Sequence, residues 1–281
     1  MSRLRRGWQL TKESWTVVRA DRSLLVFPVV SGIAVLVFAA AFGGGALALL
    51  DMSTALAIVL GVIGAFLLTV AAIFCNVALT ACAARALDGE DTTPGEGFAA
   101  ARARLRPIVG WAAVQLVVGA LITALQAVLR EGAGQLVASL VGSLANFAWN
   151  VATFFVIPVI ALEGLGPKAA LQRSLTVIRQ RWGEGVAGTF AIGGLVFLFA
   201  FLPGAVLVAG GIALAGVGGD ILIAIGVAVF VTGAVVQSAL MAVFKVALYR
   251  FAAEDRVTGP FERAQLETAF APRGRARAAT I

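Results

Sequence analysis

The fourth apolar run of this chain, Gly132–Leu162, carries Ser139, Ser143, Asn146, Asn150 and Thr153 at spacings of four, three, four and three. On a helix those positions form one continuous polar stripe. Asn146 falls near the middle of the run, so its amide would sit close to the centre of a bilayer. Amides and hydroxyls at such depth are costly and face a bundle interior. They can serve as hydrogen bonds between helices, or line a polar cavity for a solute or a lipid headgroup. Further candidates for the same site are Gln115 and Gln126 on one face of the third run, Asn76 with Thr80 in the second, and Gln237 with Lys245 in the sixth.

Lys245 carries the strongest single charge of the set. A lysine at mid-bilayer costs about 2.5–3.5 kcal/mol on insertion scales. It lies 24 residues after Ile221, about 36 Å along a helix, which brings it to the far interface. Glu163 ends the fourth run at a similar depth, so Glu163 and Lys245 are a possible ion pair. No acidic residue lies deep in a run, which removes the usual means of coupling protons or sodium.

Other chemistry is absent from the composition. The chain has no histidine, hence no imidazole base, relay or metal ligand. Cys75 and Cys82 are seven residues apart, about 10 Å of helical rise, too far to bond within one helix. No serine has a base, no carboxylates pair, and no glycine-rich loop ends in Lys-Ser/Thr. The expectation is a protein that is not an enzyme, with no catalytic residues, no cofactor and no metal.

The elements that must position these side chains follow from hydropathy. Of 281 residues, 60% are hydrophobic and 13% charged, against about 45–50% and about 25% in soluble domains. A soluble fold could not cover so much apolar surface. Six stretches lack Asp, Glu, Lys and Arg: Leu24–Leu50, Met52–Ala84, Pro107–Leu129, Gly132–Leu162, Gly185–Gly219 and Ile221–Phe244. Each exceeds the roughly 20 residues that cross a bilayer as a helix. Asp51, Arg130–Glu131 and Asp220 divide them into pairs. The predicted fold class is all-α: six transmembrane helices as three hairpins, each preceded by a cytoplasmic interfacial amphipathic helix. Prolines 28, 158 and 203 should start or bend their helices, Pro203 as a kink in mid-membrane.

Of 22 Lys and Arg residues, only Arg130 lies at a hairpin tip. The positive-inside rule therefore places both termini in the cytoplasm of a bacterial cytoplasmic membrane. Arg3, Arg5 and Arg6 resemble a leader, but the apolar run starts at Leu24 and has no cleavage site, so an uncleaved first span is expected. The cations punctuate apolar runs and form no basic domain, which argues for lipid and against nucleic acid.

The basic segments before the hairpins superpose. Ser14-Trp15-Thr16-Val17-Val18-Arg19 matches Ser174-Leu175-Thr176-Val177-Ile178-Arg179, and Leu105 and Ile108 take the corresponding places in the middle copy. Apolar stripes run Trp8, Trp15, Val18; Phe98, Ala101, Leu105, Ile108; and Leu171, Leu175, Ile178, Trp182. Such helices lie in an interface, with Trp8, Trp15 and Trp182 at headgroup level and Arg19 and Arg179 toward anionic lipid of the cytoplasmic leaflet. The membrane domain is read as residues 1–251, with pseudo-repeats at 8–88, 94–163 and 166–251, and residues 252–281 as a basic cytoplasmic tail, partly disordered. Partners are membrane lipids, with a second copy or another membrane protein as further options.

The strings GWQLTKESW and DRSLLVFPVVSG near the start, TFFVIPVIALEGLGPKAALQRS and WGEG in the middle, and VALYRFA near the end carry a resemblance. The chain resembles, over nearly its whole length, a family of uncharacterised bacterial multi-pass membrane proteins. More distantly its layout is similar to the membrane domain of some glycerophosphodiester phosphodiesterases, whose catalytic motifs it lacks. The resemblance implies fold and location and no activity. Three functions compete on this reading: a lipid- or partner-associated scaffold, which leads; a permease using the stripe on the fourth span; and a lipid-directed enzyme.

Overall fold

The computed structural model describes residues 3–50, 52–181, 201–214, 216–263 and 266, and among them the chain is helical almost throughout with no strand. An apolar chain in lipid must satisfy its backbone within each segment, and the helix is how a single segment does so. Helix α1 is Arg3–Ala20; a 3₁₀ turn at Arg22–Leu25, capped by Asp21, leads into α2 (Val26–Phe38). A π-helical turn, Ala39–Gly43, joins α2 to α3 (Gly44–Leu49). Then follow α4 (Thr54–Leu87), α5 (Pro94–Ala103), α6 (Leu105–Ala133) and α7 (Gln135–Ala152). The chain continues through α8 (Val156–Glu163), α9 (Pro167–Arg181), α10 (Leu202–Leu214) and α11 (Gly216–Glu254).

Five stretches are long and apolar enough to cross a membrane: Arg22–Leu49, Thr54–Leu87, Leu105–Gly132, Gln135–Glu163 and Gly216–Glu254. They coincide with five of the six charge-free runs. About half of the remaining run, Gly185–Gly219, lies outside the described residues, and its described part holds the shorter apolar helix α10 and the first residues of α11. Pro203 is the second residue of α10, and most of the run before it lies outside the described residues.

Glycines, not charges, set the reversals. The chain turns at Gly134, with φ of 86°, while Arg130 and Glu131 remain inside α6. It turns again at Gly216, with φ of 68°, and Asp220 falls in the early turns of α11. The polar positions predicted to divide these spans are thus helical. A left-handed backbone is open to glycine at little cost and to a charged residue only with strain. Past Gly134, α7 packs back along α6: Trp111 and Trp149 stack with centroids 5.7 Å apart. Past Gly216, α11 lies so close to α10 that a methyl on Gly219 would sit 2.4 Å from the Gly211 carbonyl oxygen. Small residues permit such approach between helices in lipid.

The chain divides into two compact units. The first comprises Met1–Pro28, Cys82–Thr92 and Gln180–Ile281. In it α1 packs on α11, burying Leu10, Ser14, Val17 and Val18. The end of α11 supplies the core, with Phe244, Leu248, Tyr249 and Phe251 all buried, and the helix runs to Glu254, three residues beyond the predicted end of the membrane domain. The following segment folds back, burying Phe261 and Leu266.

The second unit comprises Val29–Ala81 and Thr93–Arg179. Its centre is the α6–α7 pair, and α9 turns Ala170, Ser174, Val177 and Ile178 inward. Here the middle apolar stripe departs from expectation. The helix breaks at Arg104, between α5 and α6, so Phe98 and Ala101 lie on one helix and Leu105 and Ile108 on the next. Ile108 is buried and Leu105 is 46% exposed. The capping box of Thr93 with Glu96, followed by Pro94, starts α5 firmly and leaves the break to fall where the cations cluster.

Candidate functional site

The polar side chains of the spans mostly close on their own helices. Asn76 Nδ2 donates to the Ala72 carbonyl at 2.9 Å, and Thr80 Oγ1 to Asn76 at 2.7 Å. On the fourth span Ser139 donates to Leu136, Asn146 to Gly142 and Thr153 to Trp149, at 2.9, 2.9 and 2.8 Å. Thr123 and Thr232 bond the carbonyl four residues back in the same way. A helix surrounded by hydrocarbon offers a side-chain donor few other acceptors, and this back-bond satisfies it locally.

Two members of the predicted site meet a neighbouring helix. Gln115 Oε1 accepts the indole N–H of Trp149 at 3.1 Å, under the Trp111–Trp149 stack. Gln126 packs its amide into the space left by Gly142: a Cβ there would fall 1.5 Å from Nε2. Asn150 is exposed and Gln237 half-buried. Gln237 and Lys245 belong to the first unit, the other six predicted site residues to the second.

The fourth span is not one helix. Phe154 N–H reaches Val151 O at 3.2 Å and Val156 N–H reaches Thr153 O at 3.0 Å, so the chain tightens over Thr153–Phe155. Pro158 explains the position of the break. It has no N–H for the Phe154 carbonyl, and its ring crowds that oxygen. The tightening frees the Ala152 carbonyl and the Phe155 amide, and Ser174 from α9 serves both. Its Oγ donates to Ala152 O at 2.7 Å and accepts from Phe155 N at 3.2 Å. Ser174 is fully buried.

A second polar centre lies in the first unit and was not among the predicted site residues. Asp88, the residue after α4, accepts a two-pronged bond from Arg250 of α11: Nη1 to Oδ1 at 2.9 Å and Nη2 to Oδ2 at 2.8 Å. Arg256 adds a third contact to Oδ1 at 2.9 Å. The Arg250 side chain is 10% exposed and that of Asp88 25%. Planar, two-point pairing of this kind is stronger and more specific than a single contact. Thr92 at the other end of the same loop donates to Asp21 Oδ2, and the Thr92 and Ser23 hydroxyls lie 3.0 Å apart. Residues 88–92 thus bind the start of the first span and the ends of the second and last. One signal was readable beforehand: Asp88 is an acid at the end of a run, on the side where cations gather.

Glu163 accepts from Arg173 Nε at 3.1 Å. Glu163 and Lys245, expected to pair, fall in different units. Among the expected interfacial anchors, Trp15 is 41% exposed and Arg19 and Arg179 are exposed, each beside a buried face of its helix. Trp182 lies outside the described residues, as does the side chain of Trp8.

All-helical structure, five spans of membrane length and self-satisfied polar side chains within them make up a multi-pass membrane protein. The chain belongs to DUF6159, a family of unknown function, which it matches over residues 55–259. No curated protein and no solved structure matches it, and nothing links it to the glycerophosphodiester phosphodiesterases.

Proposed function

We propose that this chain is a non-enzymatic scaffold of the bacterial cytoplasmic membrane that associates with anionic lipid or with a membrane protein partner, a second copy included. It spans six times as three hairpins, termini inside, each hairpin preceded by a cytoplasmic interfacial helix. The observation that carries this reading is the closure of span side chains on their own backbone. Asn76, Asn146 and Thr153 each donate to a carbonyl of their own helix, and Gln115 accepts from Trp149 of the next helix. Side chains tied in this way serve packing within and between spans.

The repeat draws support from burial. Leu10, Ser14, Val17 and Val18 in α1 correspond, at one constant offset, to Ala170, Ser174, Val177 and Ile178 in α9, and all eight are buried. Thr16 and Thr176 make the same bond to the carbonyl four residues back, at 3.0 and 2.9 Å. In both helices the arginine one residue past the matched pair, Arg19 or Arg179, is exposed and free to meet headgroups.

Extraction into native nanodiscs, followed by lipid and protein mass spectrometry, tests the proposal. The expected result is an anionic lipid enriched over the bulk membrane, with enrichment lost in an Arg19→Gln/Arg179→Gln variant. Co-purified lipid identical to bulk and no partner protein would overturn it. A second reading, a permease for a small solute or lipid, is favoured by the break in span four immediately after exposed Asn150, since discontinuous helices carry binding sites in transporters. It predicts uptake into proteoliposomes that Asn150→Ala abolishes.

A further inference from the structure

We infer that α9 and the break in the fourth span form a single two-state element, with the Ser174 hydroxyl as its latch. The argument starts from backbone accounting. A break inside a membrane-spanning helix strands a carbonyl and an amide, and each must find a partner or the broken form is lost. Here the stranded pair is Ala152 O and Phe155 N. One oxygen atom, from a residue 19 positions away, donates to the first and accepts from the second. A hydroxyl is the smallest group able to do both at once.

Ser174 cannot hold the break unless α9 is docked, and α9 loses both of these hydrogen bonds to the span core when the break closes into regular helix. A regular helix would return Ala152 O to Val156 N–H and Phe155 N–H to Val151 O, leaving the buried hydroxyl idle. The structure contains that alternative elsewhere in the chain. Ser14 stands at the matching position of α1 and is fully buried, and its hydroxyl has no partner; the span its helix packs on, α11, is continuous. Arg173, the residue before the latch, adds a second tie to Glu163 at the end of the same span, with the two side chains 36% and 30% exposed. Gly164 follows in the left-handed region with the Arg104 guanidinium against it, 2.3 Å from where a Cβ would stand, so the link to α9 is itself confined. Order in α9 and order at Thr153–Phe155 therefore rise and fall together.

Hydrogen exchange on the full chain in lipid nanodiscs tests the inference, read in peptides covering residues 150–157 and 168–178. Ser174→Ala should speed exchange about tenfold in both windows, by the same factor in each. Ser14→Ala should leave α1 and α11 within about twofold of wild type. If Ser174→Ala does not yield folded protein, Arg173→Gln and Glu163→Gln supply the same readout, with a rise of about twofold in both windows. Acceleration at 150–157 with α9 unchanged, or no change in either window, overturns the coupling.

Discussion

Helices α1 and α9 bury the same four positions and back-bond the same threonine, yet each is held down differently. In the first unit the serine at the matched position is idle, α11 runs unbroken, and cohesion comes from a part-buried, two-pronged Asp88–Arg250 pair with Arg256 beside it. In the second unit the serine is occupied by a broken span, and the accompanying ion pair, Glu163–Arg173, is half-exposed. The difference traces to one residue. Pro158 interrupts span four, while the helix of α11 contains no proline from Gly216 to Glu254. Two helices with matching sequence strings can thus keep the same packing face while differing in which group carries the attachment.

Substitution can break this contrast at its strongest point first. Asp88→Ala should cost about 3 kcal/mol in unfolding by SDS titration, because it leaves the buried Arg250 guanidinium without its partner, and Arg250→Ala should cost less, because the more exposed Asp88 keeps Arg256. The double variant should cost less than the sum. Ser174→Ala should cost about 2 kcal/mol by stranding two buried backbone groups, against under about 0.5 kcal/mol for Ser14→Ala. Equal losses at the two serines would erase the distinction. Pro158→Ala sharpens it: with an N–H restored, the span can heal, and Ser174→Ala in that background should lose about 1 kcal/mol less than in wild type. Gln115→Ala, which frees the Trp149 indole, should cost about 1 kcal/mol in the same titration. The smallest effect belongs to Arg173→Gln, under about 0.5 kcal/mol for a partly exposed pair.

Hydropathy exposed most of the architecture and little of the attachment. Charge-free runs locate five spans because lipid admits few alternatives, but their ends shift. Arg130, Glu131 and Asp220 were read as turns and are helical, since a charge marks where a helix meets water and says nothing of where its backbone reverses. Gly134 and Gly216 do mark reversals, and both stood in the sequence beside those charges. The Trp149–Gln115 bond joins residues at similar distances either side of the Gly134 turn, so a hairpin register would have found it. Asp88–Arg250 joins residues 162 apart, and no local period encodes such a partner. Ser174 was visible as part of a repeated string; its double bond depends on a break that Pro158 hinted at without fixing.

The most direct test is the sidedness of four bends. Single cysteines at Met52, Asp91, Glu131 and Gly166, in a chain with Cys75 and Cys82 replaced by alanine, would be exposed on intact cells to a maleimide that does not cross membranes. Positions 52 and 131 should label from outside, and positions 91 and 166 only after lysis, with α1 and α9 then sharing the inner face. Labelling of all four from one side, or of 91 and 166 before lysis, would contradict the proposed topology.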